Sequence, residues 1–177
     1  GGSVVRRLWW VAGQNYAVLG CSFRVGGAQK DCKVFDMGAK KGVAGLFLVG
    51  SCGGGGEEGA WGMAGYSIGI KKLTDISGVV PTISVVLGEM YGSATLFAPL
   101  TDFSIASGKT ARIGLFSPMV KAAVHGQNVE AEKTCGAALA ATRGDIQLLA
   151  EDEASALELA KKLVGYLPLN NLEEPPF

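Results

Sequence analysis

The sequence predicts an α/β fold with parallel strands, and three observations predict it. Residues 43–49 (Val-Ala-Gly-Leu-Phe-Leu-Val) are a continuous apolar run with the character of a strand buried on both faces, and 79–86 (Val-Val-Pro-Thr-Ile-Ser-Val-Val) are an apolar, β-branched run with the character of a buried strand. Each leaves through a turn of small residues. Each turn then feeds a stretch of helical character, and strand, glycine-rich turn and helix in repetition join strands in parallel. Ligands of such sheets gather outside the carboxyl ends of the strands, where both turns fall.

Composition agrees with one domain of ordinary size. The 177 residues are 48% hydrophobic and include 27 glycines, which implies a compact fold with many tight turns. Sixteen basic and sixteen acidic residues cancel and are spread along the chain, so neither nucleic acid nor a charged membrane surface is an expected partner. Cys21, Cys32, Cys52 and Cys135 lack the paired spacing of a zinc site, and with His125 as the single histidine no metal is expected. Reduced thiols and the absence of a signal pattern or a bilayer-long apolar run place the protein in the cytoplasm, or in the mitochondrial matrix of a eukaryote.

Taken in order, residues 4–5, 8–11 and 16–19 are short apolar runs, and Ala12-Gly13-Gln14-Asn15 has the composition of a hairpin turn. Gly26-Gly27 breaks the strand that follows. Residues 31–41 place Cys32, Phe35 and Ala39 on one helical face, and Gly42 stops that helix. A second helix covers about 60–72, a third strand 111–116, and Ser117-Pro118 opens another helix, since proline suits the first helical position. Residues 125–134 are polar and mobile in character, 144–150 form a short strand, and Asp152 caps a last helix to about Tyr166. Leu157, Ala160, Leu163 and Val164 form its apolar stripe. The domain thus covers residues 1–166, with 167–177 as an extended tail.

The stretch 87–103 carries the first chemical expectation. A strand entering a helix through Gly92-Ser93-Ala94 leaves the first backbone N–H groups of that helix without intrahelical partners. Such groups can hold an anion or a carbonyl oxygen as it becomes negative. An ordinary tight connection has the same composition.

Ala98-Pro99-Leu100-Thr101-Asp102-Phe103, Ala150-Glu151-Asp152-Glu153 and Tyr166-Leu167-Pro168-Leu169-Asn170-Asn171 resemble, in order and spacing, the carboxyltransferase subunits of biotin-dependent acyl-CoA carboxylases of the propionyl-CoA and methylmalonyl-CoA type. The resemblance implies a crotonase-like (ClpP/crotonase) superhelix of repeated ββα units. It further implies the N-terminal of two such halves, beginning partway in and ending in the link between the halves. The implied reaction moves a carboxyl group between carboxybiotin and the α-carbon of a short acyl-CoA, through an enolate held by backbone N–H groups. Gly53 and Gly54 from one turn, and Gly92, Ser93 and Ala94 from the other, would build that oxyanion hole; Tyr91 and Phe97 would face the acyl-CoA. The cofactor would be biotin on a separate protein or domain, the substrate a CoA thioester, and no metal would take part. The implied partners are a chain carrying the C-terminal half and a biotin carrier protein, in a multimer.

The sequence departs from the family pattern at several places. Cys52 and Gly55 stand where the family has glycine and arginine, Tyr91 replaces an alanine, and the segment after Ala28 is shorter; Arg7 and Trp9 also occupy turn positions that are usually glycine. The alternative reading is therefore an inactive relative kept as a structural subunit. A third is a CoA-thioester hydrolase or isomerase without biotin, for which Glu58 and Glu89 are the acids near the turns. Among other residues, His125 fits a solvated loop better than acid–base chemistry, and Cys52 fits a small buried residue better than a nucleophile. Gly53–Gly56 lacks the Gly-Lys-Ser/Thr of a phosphate loop. Lys40-Lys41 and Lys71-Lys72 fit solvated helix ends, and Trp9-Trp10 fits either the core or a partner surface.

Overall fold

Six strands build the main sheet among the residues that the computed structural model describes, namely 2–4, 7–14, 25–50, 60–126 and 128–176. β1 (Gly2–Val4) pairs antiparallel with β2 (Arg7–Gly13). Beyond β2 lie β3 (Gly45–Val49), β4 (Thr82–Val86), β6 (Phe103–Ser107) and β8 (Leu148–Ala150), each parallel to its neighbour. A separate parallel pair, β5 (Glu89–Tyr91) with β7 (Arg112–Gly114), continues from the end of β4.

Alternation along these strands divides the core in two. Trp10, Phe47, Val86 and Ala106 pack with Phe35 of α1 (Val25–Lys41) and with Tyr66 and Leu73 of α2 (Ala60–Asp75). Trp9, Leu46, Ile83, Val85 and Ile105 point the other way, against Ala156, Ala160 and Val164 of α7 (Glu153–Val164). Adjacent tryptophans thus anchor opposite layers, and both are buried, which settles the choice between core and partner surface. The Trp10 ring sits edge-on to Phe47 at 4.7 Å, and its Nε1 donates to the Val43 carbonyl at 3.0 Å. A Cβ on Gly38 or Gly45 would run into that indole, so these two glycines are demanded by packing.

Several expectations need correction. Ala12 and Gly13 are not in a hairpin turn: they end β2 in parallel register with Phe47 and Leu48, and the antiparallel pairing is between β1 and β2. Gly26 and Gly27 break no strand; they lie inside α1, which begins before residue 31. The strand expected over 79–86 starts only at Thr82, because residues 76–80 turn out of α2 and Pro81 has no N–H to pair. The 111–116 strand is confined to Arg112–Gly114. Residues 125–134 hold the end of α4 (Pro118–His125) and the start of α5 (Ala131–Cys135). The last helix is capped as expected, the Asp152 carboxylate accepting from Ser155 N–H at 3.0 Å, but its most buried stripe is Ala156, Ala160 and Val164.

β6 is a strand that no continuous apolar run announces. Its serines interrupt the apolar pattern, yet both are buried and paired. Ser104 N–H donates to Gln147 Oε1 at 2.9 Å, and the Ser107 hydroxyl meets that of Thr110 at 2.8 Å.

The amino ends of the strands are tied by side chains. The Asp102 carboxylate accepts from both the N–H and the hydroxyl of Thr82, at 2.8 and 2.9 Å, joining β4 to β6. Residues 167–176 fold back on the same end. Asn170 Nδ2 donates to the Gly42 carbonyl at 3.0 Å, Asn171 N–H donates to the Val79 carbonyl at 3.0 Å, and the Arg7 guanidinium donates to the Leu167 carbonyl.

Candidate functional site

At the opposite end, β3 and β4 finish in register, Val49 beside Val86, and Leu87 N–H donates to the Val49 carbonyl at 2.9 Å. The two turns therefore start side by side: a Cβ on Gly50 would lie 3.6 Å from the Gly88 Cα. Gln14, at the end of β2, accepts from Gly50 N–H at 3.4 Å. A cleft of about 440 Å³ opens here, lined by Gln14, Gly50, Gly88, Glu89, Thr110 and Glu153. This is the expected place for a ligand, outside the carboxyl ends of the strands.

From Gly88 the chain runs through β5 into a 3₁₀ helix (Gly92–Leu96) and then α3 (Phe97–Leu100). Tyr91 precedes the 3₁₀ helix in extended conformation, and Gly92 has φ +68°, the left-handed region that glycine enters without strain. The chain reverses at Gly92, and Thr95 Oγ1 steadies the turn by donating to the Gly92 carbonyl at 2.7 Å. Ser93 is half-buried and Ala94 fully buried. A second cleft, about 590 Å³, is lined by Tyr91, Gly92, Leu115, Phe116, Met119 and Ala131, and Glu89 borders both clefts.

The structure brings Gly92, Ser93, Ala94 and Tyr91 together on this turn. Phe97 lies behind it, packed edge-on against Phe47 and Tyr66 at 5.7 Å each, as a wall beneath the site. Burial there pushes the Tyr66 phenol up. Gly53 and Gly54 fall outside the described residues, as do Cys52, Gly55 and Glu58. His125 is exposed at the end of α4. Lys71 is paired with Asp75 at 2.7 Å and Lys72 with Asp36 at 2.6 Å, while Lys40 and Lys41 are solvated in the last turn of α1.

Three residues of the site were not singled out in the sequence. Gln14 and Thr110 line the first cleft, and the strand-end rule finds Gln14 once β2 is placed correctly. Asp31 of α1 borders a small cavity with Gln14, Phe47, Leu48 and Phe97; burial pushes its carboxyl up to about 6. No sequence signal marks it, because its burial depends on how α1 lies on the sheet.

A family model for the carboxyl transferase domain matches residues 2–177. This chain belongs to the carboxyl transferase family. It is 32% identical over 176 residues to the propionyl-CoA carboxylase beta chain of Roseobacter denitrificans, and 34% identical over 177 residues to the methylmalonyl-CoA carboxyltransferase 12S subunit of Propionibacterium freudenreichii subsp. shermanii. Each alignment covers 99% of this chain and 34% of the relative, so the chain spans about a third of the length of those relatives. Among solved structures it is similar to transcarboxylase 12S, described as a hexamer assembly with hydrolysed methylmalonyl-CoA bound, at TM-score 0.88 and 34% identity over 94% of this chain and 34% of that one. A Pseudomonas malonate decarboxylase heterodimer shares the fold at TM-score 0.79 and 19% identity, over 90% of this chain and 72% of that one. The fold of this carboxyl transferase domain is thus the crotonase-like one expected, with parallel strands and helices on both faces. No described helix is long and apolar enough to cross a membrane.

Proposed function

We propose that this carboxyl transferase domain is the acyl-CoA-binding half of a biotin-dependent carboxyltransferase acting on a short acyl-CoA of the propionyl or methylmalonyl type. One observation carries the reading: the turns after β3 and β4 begin in contact at Gly50 and Gly88, and the second reverses at left-handed Gly92 into Ser93 and Ala94. A thioester carbonyl held at that reversal receives backbone N–H donors from Gly92, Ser93 and Ala94, joined by those of Gly53 and Gly54 from the first turn. Such donors favour the enolate over the neutral thioester, so the α-carbon becomes acidic and nucleophilic. The N–H groups are fixed by the backbone and need no reorganisation as charge develops.

The clefts divide the work. Tyr91, Phe116 and Met119 give the second cleft apolar walls suited to an acyl chain, with Phe97 packed behind the turn. The first cleft presents the Gln14 amide and the Thr110 hydroxyl, which fit a neutral amide-like ring such as that of biotin; Glu89 and Glu153 there repel the phosphates of CoA. Carboxybiotin, when bound, supplies the carboxyl group.

Exposed surface supports the proposed assembly. α4 has no buried residue, and Leu115, Phe116, Met119, Val120 and Val124 all stand open to solvent beside the second cleft. An apolar patch of this kind calls for cover, which a chain carrying the C-terminal half would give within a multimer served by a biotin carrier protein. The transcarboxylase relative is described as a hexamer. On this reading residues 1–166 form the domain and the tail leads toward the other half, in a cytoplasmic or matrix enzyme.

The test is calorimetric titration of propionyl-CoA into the chain, alone and with candidate partner chains. Binding in at least one combination is expected; none in any combination overturns the proposal. Ser93→Pro removes one N–H, and turnover should fall by about 10²–10³. Unchanged turnover dismisses the assigned donors, while binding without turnover in the unaltered protein marks the structural-subunit alternative.

A further inference from the structure

α4 and α5 meet at a thiol and an amine. Cys135 ends α5 and is fully buried, its Sγ 3.7 Å from Lys121 Nζ and 3.6 Å from the Phe116 carbonyl. Lys121 Nζ also donates to the Thr134 carbonyl at 3.4 Å, so the ammonium is turned inward to a thiol and a carbonyl. Room for the sulfur comes from β7: a Cβ on Gly114 would lie 2.9 Å from Sγ. Gly114 thus lets the sulfur lie against the amine, and a cleft of about 420 Å³ reaches Lys121, Gly114 and Phe116 from outside.

We propose that Lys121 and Cys135 are an oxidation-sensitive pair, joined by molecular oxygen into an N–O–S crosslink that fastens α4 to α5. The ammonium first releases one proton to solvent; in the step itself the thiol S–H and one N–H of the resulting amine are broken, and S–O and O–N bonds form. Sulfur and nitrogen each give up an electron pair to dioxygen. One oxygen atom stays in the bridge and the other leaves as water with the two hydrogens. Among the described residues no second cysteine is bonded to this thiol, which would otherwise climb the ordinary ladder to sulfenic and sulfinic acids; the adjacent amine offers a reducible end point. The crosslink fixes the helix whose residues Met119 and Val120 wall the cleft next to Tyr91 and Gly92, so oxidation would hold that cleft in one shape.

The experiment is peptide mapping by mass spectrometry of the full chain, kept in air or under dithiothreitol. The expected product joins the peptides of Lys121 and Cys135, heavier than their sum by one oxygen and lighter by two hydrogens. It should block tryptic cleavage at Lys121, disappear on reduction, and be absent from Lys121→Arg. Cys135 oxidised only to its own acids, or the same species persisting in Lys121→Arg, overturns the proposal. Reversal by dithiothreitol is read on the unaltered chain, so the test does not depend on the variant folding.

Discussion

The two ends of the parallel sheet are built on opposite plans. At the amino ends, Asp102 locks β4 to β6, Asn170 and Asn171 hold the tail against the loops before β3 and β4, and Gly45 lets the Trp10 ring lie flush on the backbone. At the carboxyl ends, two clefts stand open, a half-buried carboxyl is held at a cost, and the chain reverses through a left-handed glycine. The amino end is the more closed of the two, its cleft of about 310 Å³ beside Asp102, Leu167 and Asn170 being smaller than either cleft at the carboxyl end. On the proposed function, stability and chemistry occupy separate ends, because a site for a ligand must leave polar groups and space unfilled.

That contrast can be broken by substitution. Gly45→Ala at the closed end forces a Cβ into the Trp10 ring and should cost about 3 kcal/mol, read as a lowered urea midpoint. Asp102→Ala, which strips two hydrogen bonds from Thr82, should cost about 2 kcal/mol while leaving ligand affinity unchanged in the folded fraction. Asp31→Asn at the open end should act with the opposite sign. The folded carboxyl titrates near 6 against an ordinary 3.8, so the folded state binds more protons in that window and stability falls as pH rises through it. Water still reaches the half-buried group, so the gain from the amide should be about 1 kcal/mol at pH 7, with none at pH 3. Urea unfolding at the two pH values checks it; equal gains at both would remove the carboxyl from the account. Asn170→Ala should have the smallest effect, about 1 kcal/mol, with faster proteolysis of the tail.

Much of the closed architecture was legible in the sequence. The apolar runs that became β3 and β4 declare buried strands by length alone, and Ser117-Pro118 and Asp152 mark helix starts by their cap chemistry. What failed depends on tertiary context. Gly26 and Gly27 look like breakers, yet α1 carries them where a Cβ on either would touch nothing within 4 Å. β6 hides behind serines, of which Ser104 finds its partner only in the distant Gln147. At the site, small residues at 92–94 signalled the turn, whereas Gln14, Thr110 and Asp31 reach it only through the folding of separate elements. A pattern within one segment can be read locally; a wall made of three segments cannot.

The two-layer core also sets an order of construction. Helices α1 and α2 are made between strands of the sheet and cover its first face as those strands appear. The second face, with Trp9, Ile83, Val85 and Ile105, waits for α7, which follows the last strand. A ribosome therefore exposes a half-clad sheet until residues 153–164 have emerged, and until then the nascent chain carries an oily flank. The last helix is the keystone: a chain halted before it would hold its strands yet offer that flank to every neighbour.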